Sequence, residues 1–211
     1  MSAPITLLII LVTGGVSLYA FNNSQFRSNA LFVPALIKHR GEQHRWVSSG
    51  FVHGDLMHLI FNMYALYIFG GHAEFAFAAL FGETLGGGAY LLFYLVSIVV
   101  ANLMNYKRHQ DNYGYRALGA SGAVAAVMWP FIMLAPWDWF VFPPLPAFAL
   151  GIGYILYSQY ADRNSRDNID HSAHLWGAIF GLTAYVLLCV LFQPLLLEVF
   201  WTELLQPRGP G

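Results

Sequence analysis

Six runs of the chain, approximately residues 5–21, 56–73, 89–105, 119–135, 147–160 and 173–192, contain no Asp, Glu, Lys or Arg. A bilayer core of about 30 Å is crossed by roughly 20 apolar helical residues, with about 17 to 25 tolerated. The runs therefore predict an all-α integral membrane protein, a bundle of six transmembrane helices forming one domain over residues 1–211; the fifth run is the shortest. Composition agrees, because only 10% of the 211 residues are charged while 57% are hydrophobic and 17% aromatic. Soluble domains carry about 25% charged residues. Ten Lys and Arg nearly balance eleven Asp and Glu, which leaves no basic field for nucleic acid and no acidic solvating tail, so the lipid bilayer is the expected partner. Cys189 is the single cysteine and excludes an internal disulfide. The first run lacks a basic leader before it and reads as a retained helix instead of a cleaved signal.

Between the first two runs lie 34 residues, Asn22 to Asp55, in which Phe32, Val33, Pro34, Leu36, Ile37, Trp46 and Phe51 are interspersed among charges. A solvated connection would be more polar, so this segment is expected to lie against the bundle at the membrane interface. Gly86 to Gly88 reads as a turn between spans two and three.

Polar side chains at bilayer depth are costly, so the few inside the runs are functional candidates. His58 and Asn62 sit four apart on one face of the second run, Ser121 opens the fourth, and His174 opens the sixth. Successive spans alternate in direction, which puts the starts of spans two, four and six on one side and lets these residues converge. A serine nucleophile needs a base for its proton, and the tetrahedral intermediate needs donors aimed at its oxyanion. Ser121 stands in Gly119-Ala120-Ser121-Gly122, where glycine permits close backbone approach and a helix start offers free N–H groups. His174 suits the base, and His58 and Asn62 suit an oxyanion hole together with the Ser121 N–H. This chemistry requires no metal and no cofactor. Each residue alone has a structural explanation, since serine and glycine serve close helix packing and asparagine or histidine can tie helices together. Their coincidence at one depth favours chemistry.

At these residues the sequence resembles the rhomboid family of intramembrane serine proteases, over about Arg45 to Leu182. His53, His58 and Asn62 match the family's H-x4-H-x3-N, followed by a matching acidic Glu74. Gly119 to Gly122 match G-x-S-G, and Ala173, His174, Gly177 and Gly181 match A-H-x-x-G-x-x-x-G. The resemblance implies Ser121 as nucleophile, His174 as general base, and His58, Asn62 and the Ser121 N–H as oxyanion hole. It assigns structural support to His53, Gly119, Gly122, Gly177 and Gly181, the last two letting span six approach span four. It further implies cleavage of single-span transmembrane substrates in or near the bilayer, helped by helix-weakening small residues at the cut. Glu74 would anchor a helix end, the Tyr160 to Ser172 loop would be a mobile cap, and Arg45-Trp46 corresponds to a basic and tryptophan pair in the family's first loop, reversed in order relative to many members.

One departure is plain: where the family often places an aromatic ring stacked on the catalytic histidine, this chain has Ala125. Trp129 and Trp176 are candidate substitutes. His171 and Asp170, three and four residues before His174, have spacings that suggest a base or a triad acid, but both read as residues of a polar loop. Two alternatives stand beside the protease: a rhomboid-like pseudoprotease that binds transmembrane clients, and a zinc hydrolase using His53, His58, His171 and His174, for which no H-E-x-x-H is present.

Sidedness sets two rules against each other. Arg27, Lys38, Arg40, Arg45, Lys107, Arg108, Arg116, Arg163 and Arg166 lie in the odd-numbered loops, against Arg208 on the side of the termini, which by the positive-inside rule makes the odd loops cytoplasmic. The resemblance instead implies cytoplasmic termini and an extracytoplasmic catalytic face in a cell or inner membrane. The second expectation is preferred, because charges in a loop packed on the bundle report local structure more than insertion.

Overall fold

The computed structural model describes residues 3–140, 144–165, 167 and 169–209. Within them run α1 (Pro4–Asn22), α2 (Ser24–Ala30), α3 (Pro34–Arg40), α4 (Arg45–Ser48), α5 (Leu56–Ala101), α6 (Leu103–His109), α7 (Ser121–Leu134), α8 (Ala147–Asn164), α9 (His171–Phe192) and α10 (Leu195–Leu204). Among the described residues, β pairing is limited to two isolated bridges, Phe32 with Ala117 and Trp139 with Pro146. The protein is an all-α membrane bundle, and each of the six apolar runs is helical over all or most of its length.

Helix α1, the 54-residue stretch Leu56–His109 and α9 are long and apolar enough to cross a membrane. The second is more than twice what one crossing needs. It is broken at Gly82, whose φ of 78° and ψ of 164° interrupt α5; the positive φ is open to glycine without steric cost. The break therefore falls at Gly82 and not at Gly86–Gly88, which are helical. Gly86 serves a different end: a Cβ there would lie 2.5 Å from the Ala78 Cα, because the second half of α5 folds back on the first. Phe77 meets Tyr90 and Phe93 across the same seam.

At the centre stands α7, buried without interruption from Gly122 to Met133 and packed mainly on α5 and α9. At about 1.5 Å per residue its 14 residues span roughly 21 Å, short of the roughly 30 Å hydrocarbon core. It therefore ends inside the thickness its neighbours cross. The α7–α9 contact is backbone on backbone. A Cβ at Gly177 would overlap the Gly122 carbonyl, and one at Gly181 would overlap the Ala126 carbonyl. Pro130 inside α7 lacks the N–H that Ala126 C=O would otherwise accept, so this carbonyl turns its free lone pairs to a neighbour with no side chain.

Buried charges are tied to backbone. Glu74, in α5, accepts from the Ile5 and Thr6 N–H groups and from Thr6 Oγ1, at 2.9–3.0 Å, neutralising the orphan donors at the start of α1. The segment from Asn22 to Asp55 packs on the bundle as expected, folded into short helices around Arg45. That side chain is 4% exposed, donates to the Ser28 and Leu31 carbonyls and pairs with Glu42. Trp46 packs between Phe32 and Tyr106. Helix α10, which lies beyond the six runs, is held by the Trp137 indole N–H donating to Leu204 C=O at 3.1 Å.

Gly177→Val and Gly181→Val are expected to lower the thermal unfolding midpoint and abolish activity. Overpacking costs about 1–3 kcal/mol, and neither backbone can retreat without moving α9. Gly153→Val, with nothing within 4 Å of its Cβ position, is the control and should unfold as wild type does. Equal midpoints for all three in detergent thermal melts would refute the packing role.

Candidate active site

Ser121 is the first residue of α7, and the residue before it, Ala120, gives the helix no side-chain cap. An α-helix begins with backbone N–H groups that have no intrahelical acceptor. Among the described residues Ser121 N–H has no partner, whereas the two preceding N–H groups are engaged: Gly119 N–H donates to Ser49 C=O at 2.9 Å and Ala120 N–H to His53 Nε2 at 3.3 Å.

His53 is wholly buried, and its bonds dictate its tautomer. Because Nε2 accepts from Ala120, Nδ1 carries the proton and donates to Ser17 Oγ at 2.9 Å, and that hydroxyl donates to Phe51 C=O at 2.9 Å. Burial first, and then the adjacent His58, pushes its pKa down to about 3, so the imidazole is neutral as this relay requires. The chain of bonds ties α1 to the loop that carries Ser121, which gives His53 a structural place. Gly119 has a φ of 115°, and a Cβ there would lie 2.8 Å from His58 Cε1. Glycine thus serves twice: it accepts the left-handed backbone and lets the His58 ring reach the edge of the nucleophile loop.

His58 and Asn62 lie one turn apart on α5, Asn62 donating one amide hydrogen to His58 C=O at 2.9 Å and keeping the other. Asp55 caps this helix by accepting from His58 N–H. His174 stands in the first turn of α9. Ser121, His58, Asn62 and His174 all line one open cavity of about 1070 Å³. The starts of α5, α7 and α9 thus converge as alternation of spans predicts. Gly122 brings them closer: a Cβ there would sit 2.5 Å from Ala101 Cβ and 3.1 Å from Ala173 C=O, so the residue after the serine touches the residue before the histidine. A direct Ser121–His174 hydrogen bond is not formed in this structure; catalytic hydrogen bonds often tighten only when substrate binds.

The ring facing His174 is neither Trp129 nor Trp176. It is Tyr154 of α8, stacked at 5.9 Å between centroids with planes 27° apart. Ala125 on α7 supplies no ring, and the ring stacked on the histidine comes from a different helix. His171 is the first residue of α9, not a loop residue; its Nε2 bonds the Asp167 carboxylate at 3.1 Å, and its ring meets His174 edge-on. Hydrogen bonding with Ser165, the Ile169 N–H and His171 holds Asp167 down to about 2, so it is ionised. Asp170 is the N-cap of α9, accepting from Ala173 N–H, and its carboxylate also takes both its bonds from Asn105 at 2.7–2.9 Å and one from Tyr115 OH. It holds the end of α9 in place and has no bond to the His174 ring. Among the described residues no three His, Cys, Asp or Glu side chains are grouped to hold a metal ion, so the histidines of the zinc alternative do not assemble into a ligand set.

The fold is thus a membrane-embedded helical bundle in which a serine and a histidine line one open cavity. The chain belongs to the rhomboid family: the rhomboid domain profile matches residues 40–191. It is similar to RHOMBOID-like protein 12, mitochondrial, of Arabidopsis thaliana, 29% identical over 190 residues that cover 84% of this chain and 56% of that protein. It is also similar to the presenilin-associated rhomboid-like protein, mitochondrial, of Homo sapiens and of Mus musculus, each 30% identical over 141 residues that cover 64% of this chain and 35% of the relative. The chain thus matches from about a third to just over half the length of these relatives.

Tyr154→Leu is expected to lower kcat about 2- to 10-fold, the equivalent of the roughly 0.5–1.5 kcal/mol that an aromatic pair contributes, and to shift the acidic limb of the kcat/KM pH profile. Tyr154→Phe should restore both, because the ring and not the hydroxyl orients His174. A profile identical to wild type for Tyr154→Leu would remove the ring from this role.

Proposed function

We propose that this chain is an intramembrane serine endopeptidase that cleaves single-span transmembrane proteins within or beside the bilayer. The observation that carries the reading is the unpartnered N–H of Ser121 at the start of α7, in the same cavity as His174, His58 and Asn62. In the reaction His174 takes the Ser121 proton as Oγ attacks the scissile carbonyl carbon. The oxyanion accepts hydrogen bonds from the Ser121 N–H, the free amide hydrogen of Asn62 and His58. His174 returns the proton to the departing amine, and water then hydrolyses the acyl-enzyme with the same base. Water reaches the site through the polar mouth of the cavity. Phe61, 65% exposed, borders the same cavity and gives it an apolar edge toward lipid, from which a transmembrane substrate would enter. A pseudoprotease that only binds clients would have no need of a complete nucleophile, base and oxyanion set.

Ser121→Ala and His174→Ala are each expected to abolish cleavage of a reconstituted single-span substrate, with Ser121→Ala alone blocking fluorophosphonate labelling outright. Asn62→Ala and His58→Ala should label slowly and lose about 10²- to 10³-fold in turnover. Turnover by purified Ser121→Ala would sink the mechanism.

We further place the chain in a cell or inner membrane with the catalytic face extracytoplasmic; the relatives above are named as mitochondrial. Of the nine cations in the odd loops, Lys38 pairs with Asp111, Arg45 with Glu42 and Arg108 with Asp162, so they serve local structure; Arg166 lies outside the described residues. With Cys189 replaced by Ala and one cysteine at the exposed Asn164, a membrane-impermeant maleimide should label intact bacterial cells expressing the protein. Labelling only after the cells are opened would place the site in the cytoplasm.

A further inference from the structure

The cavity is lined by charges of both signs. Four acids line it: Asp55, Asp162, Asp167 and Asp170. Each is already occupied. Asp55 caps α5, Asp162 takes both arms of Arg108 at 2.8 and 3.0 Å, Asp167 pairs with His171, and Asp170 is held by Asn105, Tyr115 and the start of α9.

Two arginines line the same cavity and have no hydrogen-bond or ion-pair partner among the described residues: Arg27 on α2, half-buried, and Arg116, exposed, on the connection to α7. They come from distant parts of the sequence but from adjacent backbone. Phe32 N–H donates to Ala117 C=O at 2.9 Å and Ala117 N–H to Phe32 C=O at 3.0 Å, which fastens the segment after α2 beside the residue after Arg116. Leu31 N–H in turn donates to Arg27 C=O. The bridge leaves both guanidinium groups on the rim.

We propose that Arg27 and Arg116 form a subsite for one acidic side chain of the substrate, close in sequence to the scissile bond. The proposal rests on Ser121 being the nucleophile, and it names the class of substrate that site selects. Arg116 lies five positions before Ser121, and a chain extends at most about 3.3–3.6 Å per residue, so the recognised Asp or Glu lies within about five residues of the cut, in the flank outside the apolar span. A guanidinium matches a carboxylate in shape and charge.

The test reads binding without turnover. Ser121→Ala protein in phosphatidylcholine nanodiscs is titrated with a fluorescent single-span peptide carrying six-residue polar flanks, in which one Asp or one Asn is moved through each flank position. The Asp peptide should bind about tenfold tighter than the Asn peptide at one or two positions, as a hydrogen-bonded charge pair contributes, and the preference should shrink as salt rises. Arg27→Gln combined with Arg116→Gln should abolish the preference, and Arg116→Glu should turn it toward Lys. Absent or equal binding at every position, or a preference that survives the double substitution, overturns the subsite. An arginine-dependent gain from phosphatidylglycerol in the nanodisc, indifferent to peptide charge, also overturns it and assigns the pair to a lipid headgroup. Failure of the protease reading is separate, and shows as absent fluorophosphonate labelling of the wild-type protein.

Discussion

The backbone contact between α7 and α9 is the constraint on which the rest of the structure depends. Lipid offers apolar side chains no incentive to leave it, so helices in a membrane are held by close packing and by polar contacts. Gly122, Ala126, Gly177 and Gly181 let two helices meet without side chains between them. Because the contact begins one residue after Ser121 and three after His174, the geometry that closes the core also sets the distance between these two residues. α5 completes the arrangement by folding back at Gly82, which buries α7 and carries His58 and Asn62 to the same end.

Several polar groups inside the bundle are matched across elements, while others, such as the Thr13 and Ser158 hydroxyls, are buried without a partner among the described residues. Glu74 answers the open N–H groups of α1, Arg45 answers loop carbonyls, and His53 passes a chain of hydrogen bonds from Ala120 to Phe51. At the cavity, the Ser121 N–H and the side chains of Arg27 and Arg116 have no partner among the described residues. In the proposed reaction the first would meet the oxyanion, and the arginines would stand at the mouth through which a peptide enters.

Much of the site was legible from residue type and spacing. His58 and Asn62 at i and i+4 had to share a helix face, and serine and histidine opening alternate runs had to lie at one end, because period and alternation are local properties. Arg45 and Glu74 were marked as well, through the resemblance to the family. The partner itself was hidden. Nothing near Ala125 points to Tyr154, nothing near His53 points to Ser17, and the Asn105, Tyr115 and Asp170 network joins residues more than fifty positions apart. Gly86 to Gly88 looked like the turn because three glycines in a row suggest one, yet Gly82 makes it; composition cannot tell a glycine chosen for positive φ from one chosen for a missing Cβ.

By itself the sequence determined the class of fold and the cast of the site. Apolar length must match bilayer thickness, and polar residues persist at that depth only where something requires them. The tertiary structure alone decided which ring stacks on His174, which acids are already neutralised and which cations remain open. Those outcomes depend on contacts between segments far apart in the chain, and a helix's own periodicity carries no information about what its neighbour presents to it.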